Sequence, residues 1–285
     1  MTDARIETLR ALQSPCRLCP RECRALRADG EVGFCGVADT ALVASFGPHF
    51  GEESCLVGQG GSGTIFLASC NLKCVFCQNY DISQAPAGEL VSPAQLASVM
   101  LSLASRGCAN VNFVTPTHFA PQIAEAILAA RARGLRVPVV YNCGGYESSD
   151  ALRALEGLVD IYMPDAKFLD PSASERFLNA ADYPERMRAA LAEMHRQVGD
   201  LVVEDGLAAR GLLVRHLVMP GFVDDSKRVI DFLAELSPRT FVNVMAQYRP
   251  CYSASSFPQI NRRPSPSEVS AVRSYALSKL LRLDA

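Results

Sequence analysis

Six short apolar runs recur along the chain, at residues 64–69, 110–114, 136–141, 158–163, 211–218 and 240–246. Continuous runs of this length suit strands buried on both faces of a parallel sheet. Segments with helical periodicity fill the gaps, at 93–105, 120–133, 148–155, 173–197 and 225–236. A last helix is expected at 267–282, after a Pro-rich break. Ser92-Pro93 reads as an N-cap followed by the first helical position, and Asp224 as the cap of the helix at 225–236. Six strand–helix alternations predict an α/β domain with a parallel sheet. There is no room for eight units, so the expected solution is a partial, open (β/α)6 barrel of the TIM type. In such barrels the active residues lie at the C-terminal ends of the strands.

The pattern before the first run is different. A short helix is expected at 3–13, then a loop-rich knuckle at 14–36 with four cysteines, then a β segment near 41–46 and the Gly-rich stretch 58–63. This divides the chain into an N-terminal Cys-rich metal-binding extension (1–57), the barrel (58–250), and a C-terminal loop and helix packed on it (251–285). The apolar content of 49% is ample for a core. A net charge of −2 gives no basic surface, so no nucleic-acid partner is expected. No apolar run reaches the length of a membrane span, and the N-terminus lacks the apolar stretch of a signal peptide. There are 11 cysteines, and their tight clusters argue for metal ligation in a reducing cytoplasm rather than for disulfides.

The most informative cluster is Cys70-Asn-Leu-Lys-Cys74-Val-Phe-Cys77, directly after the first apolar run. A 4Fe–4S cubane has four iron corners, and each usually takes one thiolate. Three ligands on one loop leave one iron open, and an open position marks a reactive centre rather than a structural one. A zinc site would want a fourth ligand, and residues 78–83 offer neither Cys nor His. A second constellation is Cys16-x-x-Cys19-Pro-x-x-Cys23 with Cys35 after eleven intervening residues. Four thiolates close a site, which fits either a structural Zn²⁺ or an auxiliary Fe–S cluster. Cys55 is a spare ligand or reactive thiol on this reading, and Cys108 and Cys251 are structural.

The CxxxCxxC spacing, with Phe76 just before the last cysteine, resembles the signature of the radical S-adenosylmethionine (SAM) superfamily. Further stretches resemble its uncharacterised pyruvate formate-lyase-activating-enzyme-like family. They are Cys16-Arg-Leu-Cys19-Pro-Arg-Glu-Cys23, Gly33-Phe-Cys35-Gly36, Gly51-Glu-Glu, Gly61-Ser-Gly-Thr-Ile-Phe66, Val114-Thr-Pro-Thr-His118, Tyr162-Met-Pro-Asp-Ala-Lys167 and Arg215-His-Leu-Val-Met-Pro-Gly221. The resemblance spans roughly 14–260. It implies a six-unit radical SAM barrel, with Cys70, Cys74 and Cys77 carrying the 4Fe–4S cluster and Phe76 against the adenine of SAM. It also implies that the open iron chelates the amino and carboxylate groups of SAM. Reduction then splits SAM into methionine and a 5′-deoxyadenosyl radical. True activases with extra clusters often carry the added cysteines after this motif, whereas here they precede the barrel.

Polar residues at the strand ends are the candidate SAM contacts. Thr115 and Thr117 stand where many superfamily members have a Gly-Gly-Glu stretch for the amino group, or else they cap the next helix. His118 is a weaker candidate beside them. Asn142 suits the ribose or methionine part, and the pair Gly144-Gly145 admits close backbone approach. Asp165 and Lys167 share one face of extended chain, as SAM contacts or as a structural pair. Only one of Arg215 and His216 faces inward, since strand neighbours point to opposite sides. Gln247 and Tyr248 lie at the mouth, and the buried Asn243 needs a partner. Tyr141, Tyr146, Tyr248 and Cys55 are candidate second hydrogen donors.

The expected activity is reductive cleavage of SAM and hydrogen abstraction from a substrate, with a glycyl radical enzyme as one candidate. The expected electron donor is a flavodoxin or a ferredoxin. The rival readings are an Fe–S electron-transfer protein that leaves SAM intact, and SAM-derived group transfer to a small molecule.

Overall fold

The computed structural model describes residues 3–284. Helix α1 (Ala4–Gln13) opens the chain, capped by the Asp3 carboxylate on the Arg5 amide. After the cysteine knuckle come β1 (Ala41–His49) and the single turn α2 (Ser54–Val57). The alternation then begins with β2 (Ser62–Leu67), followed by α3 (Tyr80–Ser83), β3 (Glu89–Val91) and α4 (Pro93–Ser105). It continues through β4 (Val111–Val114), α5 (Ala120–Ala132), β5 (Val139–Cys143), α6 (Ser149–Ala154), β6 (Ile161–Pro164), α7 (Pro171–Leu178) and α8 (Tyr183–Val198). The hairpin of β7 (Val202–Glu204) and β8 (Leu207–Leu217), then α9 (Val223–Leu236), β9 (Phe241–Met245), α10 (Pro266–Ser278) and β10 (Arg282–Leu283) complete it.

The six expected strands pair in the order β2-β4-β5-β6-β8-β9, all parallel. β10 adds to β9 in parallel, while β1 and β3 run antiparallel at the opposite edge. The two edges do not pair, so the sheet is an open α/β partial barrel. β1, which the sequence places in the N-terminal extension, is therefore part of the sheet.

Local chemistry explains most boundaries. Ser92 and Gln95 form a reciprocal capping box at the start of α4, 3.3 and 2.8 Å between side chain and backbone. The helix expected at 173–197 is two helices. Asn179 closes α7 in the left-handed conformation (φ 55°), and α8 restarts at Tyr183 with Pro184 in its first turn, where a missing N–H costs no helix bond. Asp224 is not a cap: α9 begins at Val223, which places Asp224 inside its first turn.

Two apolar clusters result. The larger lies between the sheet and the helices. The smaller fills the barrel floor, where Cys55 and Leu56 of α2 pack on Val140, Ile161, Met163 and Leu213. Above that plug the barrel is open. Among the described residues no helix is long and apolar enough to cross a membrane.

Candidate functional site

Strand β2 delivers the chain to the barrel mouth, where two residues in the left-handed region, Ser69 (φ 74°) and Lys73 (φ 53°), fold 69–77 into a tight loop. The loop is pinned on every side. Ser69 N donates to Ile82 O at 2.7 Å, Val75 N to Phe177 O at 3.0 Å, and Asn71 Nδ2 to Tyr146 O at 2.8 Å. Cys70, Cys74 and Cys77 all face one cavity of about 520 Å³ above the barrel plug. Leu72 N donates to Cys70 Sγ at 3.3 Å, a contact that favours its thiolate, and Ser83 Oγ donates to Cys77 Sγ at 3.1 Å. Burial pushes the Cys70 and Cys74 thiols up, and the Lys167 ammonium opposes it. Three soft donors round a shared space, with a buried cation and sulfur-directed donors beside them, fit a 4Fe–4S cluster.

The inner faces of the strands line the rest of the cavity. Asn142 of β5, Arg215 of β8 and Asn243 of β9 line it together with Val114 and Phe66. Arg215 is therefore the inward member of its pair. His216 points away and is buried among the outer packing, Nδ1 to Ala166 O at 2.7 Å. Arg215 Nε and Nη2 donate to both oxygens of Glu53 at 2.8 and 2.6 Å, and Nη2 also donates to Glu52. Asn243 Nδ2 donates to Glu53 Oε1 at 2.8 Å, which supplies its buried partner. Burial alone would raise the Glu53 carboxyl, but Arg215 outweighs it and holds it low.

At the rim Lys167 Nζ pairs with Asp165 Oδ2 at 2.5 Å. Burial works against the Lys167 charge, yet the Asp165 carboxylate holds its pKa above the ordinary value. Tyr183 OH braces this corner by donating to Asp165 O and Gly144 O at 2.9 and 3.0 Å. The glycine pair serves the protein itself. A Cβ on Gly145 (φ 76°) would sit 2.2 Å from Asp165 O, and one on Gly144 2.8 Å from Leu72 Cδ1. What approaches the backbone there is β6 and the cysteine loop.

Phe76, Thr115 and Gln247 also line the cavity, Phe76 being wedged edge-on against Tyr248 and Phe168. Several expected residues do not reach it. Thr117 donates to Glu147 Oε1 at 2.7 Å, and His118 lies on the far side of the cysteine loop. Tyr248 is buried with its hydroxyl on Ile260 O, Tyr141 donates to Glu147, and Tyr146 donates to Asp182. Cys55 is part of the barrel plug, where burial pushes its thiol up to about 11. None of the four proposed hydrogen donors touches the cavity.

Glu52, Glu53 and His49, which do line it, escaped notice as site residues. The stretch Gly51-Glu-Glu carries the two carboxylates and His49 ends β1, but both precede the first barrel strand, and no spacing rule places them under β8. Cys16, Cys19, Cys23 and Cys35 line a second, small cavity behind the loop.

Comparison with known proteins agrees with this geometry. The family model of the radical SAM superfamily matches residues 64–233. The uncharacterized protein MJ0674 of Methanocaldococcus jannaschii is 31% identical over 279 residues, covering 94% of this chain and 76% of the relative. Among solved structures, SuiB of Streptococcus suis bound to S-adenosylmethionine is 13% identical with a TM-score of 0.48. That match covers 75% of this chain and less than half, 44%, of SuiB. A domain of pyruvate-formate lyase-activating enzyme from Bacteroides vulgatus ATCC 8482 is 13% identical with a TM-score of 0.38, over 67% of this chain and 89% of that one. Likenesses at this level carry no functional argument.

Proposed function

The chain belongs to the radical SAM superfamily, and from that premise we propose that it cleaves SAM reductively at the barrel mouth and uses the product to take hydrogen from a substrate. The observation that carries the reading is that Cys70, Cys74 and Cys77 open together onto a polar cavity large enough for a cofactor-sized molecule. Cys70, Cys74 and Cys77 would hold a 4Fe–4S cluster there, which when bound and reduced would supply the electron for cleavage of SAM.

The chain's own residues do the rest. Glu52, Glu53, Asp165 and Asp284 line the cavity against the cations Lys167 and Arg215. This surplus of carboxylates favours a sulfonium ligand. Asn142 and Thr115 offer polar contacts to it, and Phe76 walls its apolar side. Arg215, braced by the carboxylates of Glu52 and Glu53, cannot swing across the site to clamp a carboxylate with its whole fork. It holds α2 and the strands in register beneath the ligand instead.

The electron comes from a flavodoxin-like or ferredoxin-like donor. The substrate is a glycyl radical enzyme or a small molecule. Anaerobic reconstitution, dithionite reduction and chromatography of 5′-deoxyadenosine test the reading. The expected result is 5′-deoxyadenosine from the native protein and none from Cys77→Ala. No product from a protein with a full, reducible cluster would overturn it, and would leave electron transfer or another SAM cleavage as the activity.

A further inference from the structure

The small cavity behind the cysteine loop has no part in that chemistry, yet it is a built site. Its walls include Cys16, Cys19, Cys23 and Cys35. Cys16 N donates to Ala25 O and Arg24 N to Cys16 O, each at 3.0 Å, which clamps 16–25 into a closed loop. Ser69 Oγ of the barrel loop holds the carbonyl of Cys35. A Cβ on Gly33 would lie 2.3 Å from Cys23 Sγ, so only glycine leaves room for that thiol.

One buried group shows what the cavity is shaped for. Arg27 is 1% exposed. Its guanidinium donates to Ala38 O and His118 O and reaches Cys16 Sγ at 4.0 Å, and among the described residues no carboxylate pairs with it. A buried cation without an anion is costly. Four thiolates around a metal centre supply the missing negative charge.

The arrangement of the sulfurs separates the metals. A tetrahedral zinc requires four sulfurs at about 2.3 Å from one point. Among the described residues no three Cys, His, Asp or Glu side chains converge in that way. The thiols at the barrel mouth, whose family-implied occupant is polynuclear, likewise do not converge on a single-ion point. We propose that Cys16, Cys19, Cys23 and Cys35 hold a second iron–sulfur cluster, with every protein ligand position closed. The two centres share a wall, because Cys70 lines one cavity and the next residue, Asn71, lines the other.

The test does not depend on SAM cleavage. The variant Cys70→Ala, Cys74→Ala, Cys77→Ala is reconstituted anaerobically with iron and sulfide, and its metal, acid-labile sulfide and Mössbauer spectrum are measured. It is expected to keep about two to four iron and matching sulfide per chain. Adding Cys16→Ser and Cys19→Ser should remove them. Zinc at about one per chain without sulfide, or no bound metal in a folded variant, would overturn the proposal. Should the triple variant fail to fold, the native protein decides. Iron clearly above the four of a single cluster supports the second centre, and about four iron contradicts it.

Discussion

Glu53 is the residue on which the barrel floor turns. It is buried, it receives Arg215 from β8 and Asn243 from β9, and it comes from a turn 162 positions before Arg215. Breaking such a pair from one side leaves an uncompensated buried charge. Arg215→Met is therefore expected to cost roughly 3–5 kcal/mol, read as a lowered denaturant midpoint. A change within about 0.5 kcal/mol would show that the pair does not hold the floor. Glu147 makes a second prediction. Burial pushes its carboxyl up to about 8, against hydrogen bonds from Thr117, Tyr141 and Cys143. A carboxyl raised in the fold stays protonated there while the unfolded chain ionises near about 4.3. Its contribution therefore falls as pH rises from that value towards 8 and is level above it. Glu147→Gln, neutral throughout, should flatten the slope of stability against pH over that window. Equal slopes in the two proteins would contradict the assignment.

Among the elements, strands were readable because their apolar runs are continuous, and all six were placed within a few residues. The strand-face rule also reduced Arg215 and His216 to a choice, which needed the register Arg215 opposite Asn243 to decide. Two features were hidden. β8 starts four residues earlier than expected, because Asp205 (φ 49°) and Gly206 (φ 81°) make a two-residue hairpin with β7. That dipeptide was visible in the sequence, but the run was read from its apolar core outward. Unbroken helical periodicity also masked the break at Asn179. The junction after β5 is the element most exposed to a single change, since Gly145 combines positive φ with contact to Asp165 O. Gly145→Ala should lower stability by roughly 1–3 kcal/mol, measured by thermal unfolding. An unchanged midpoint would mean that β5 and β6 can part there without cost.

For the whole molecule, the cofactor was more legible than the cavity around it, for a physical reason. Three thiolates within eight residues form a local signal, and spacing alone reports their chemistry. The wall assembles from the turn before α2 and from β2, β4, β5, β8 and β9, and no local pattern links Glu53 to Asn243. The fold brings the cysteine loop, the carboxylate-rich floor and the Asp165–Lys167 rim onto one cavity, and places the other four cysteines behind the same loop. The central claim is that SAM binds in that cavity on the centre held by Cys70, Cys74 and Cys77. Low-temperature electron paramagnetic resonance of the reduced protein, recorded with and without SAM, tests it most directly. The account predicts that SAM changes the signal of one centre and that the change is absent in Cys70→Ala, Cys74→Ala, Cys77→Ala. Superimposable spectra from native protein with a full, reduced cluster would contradict it.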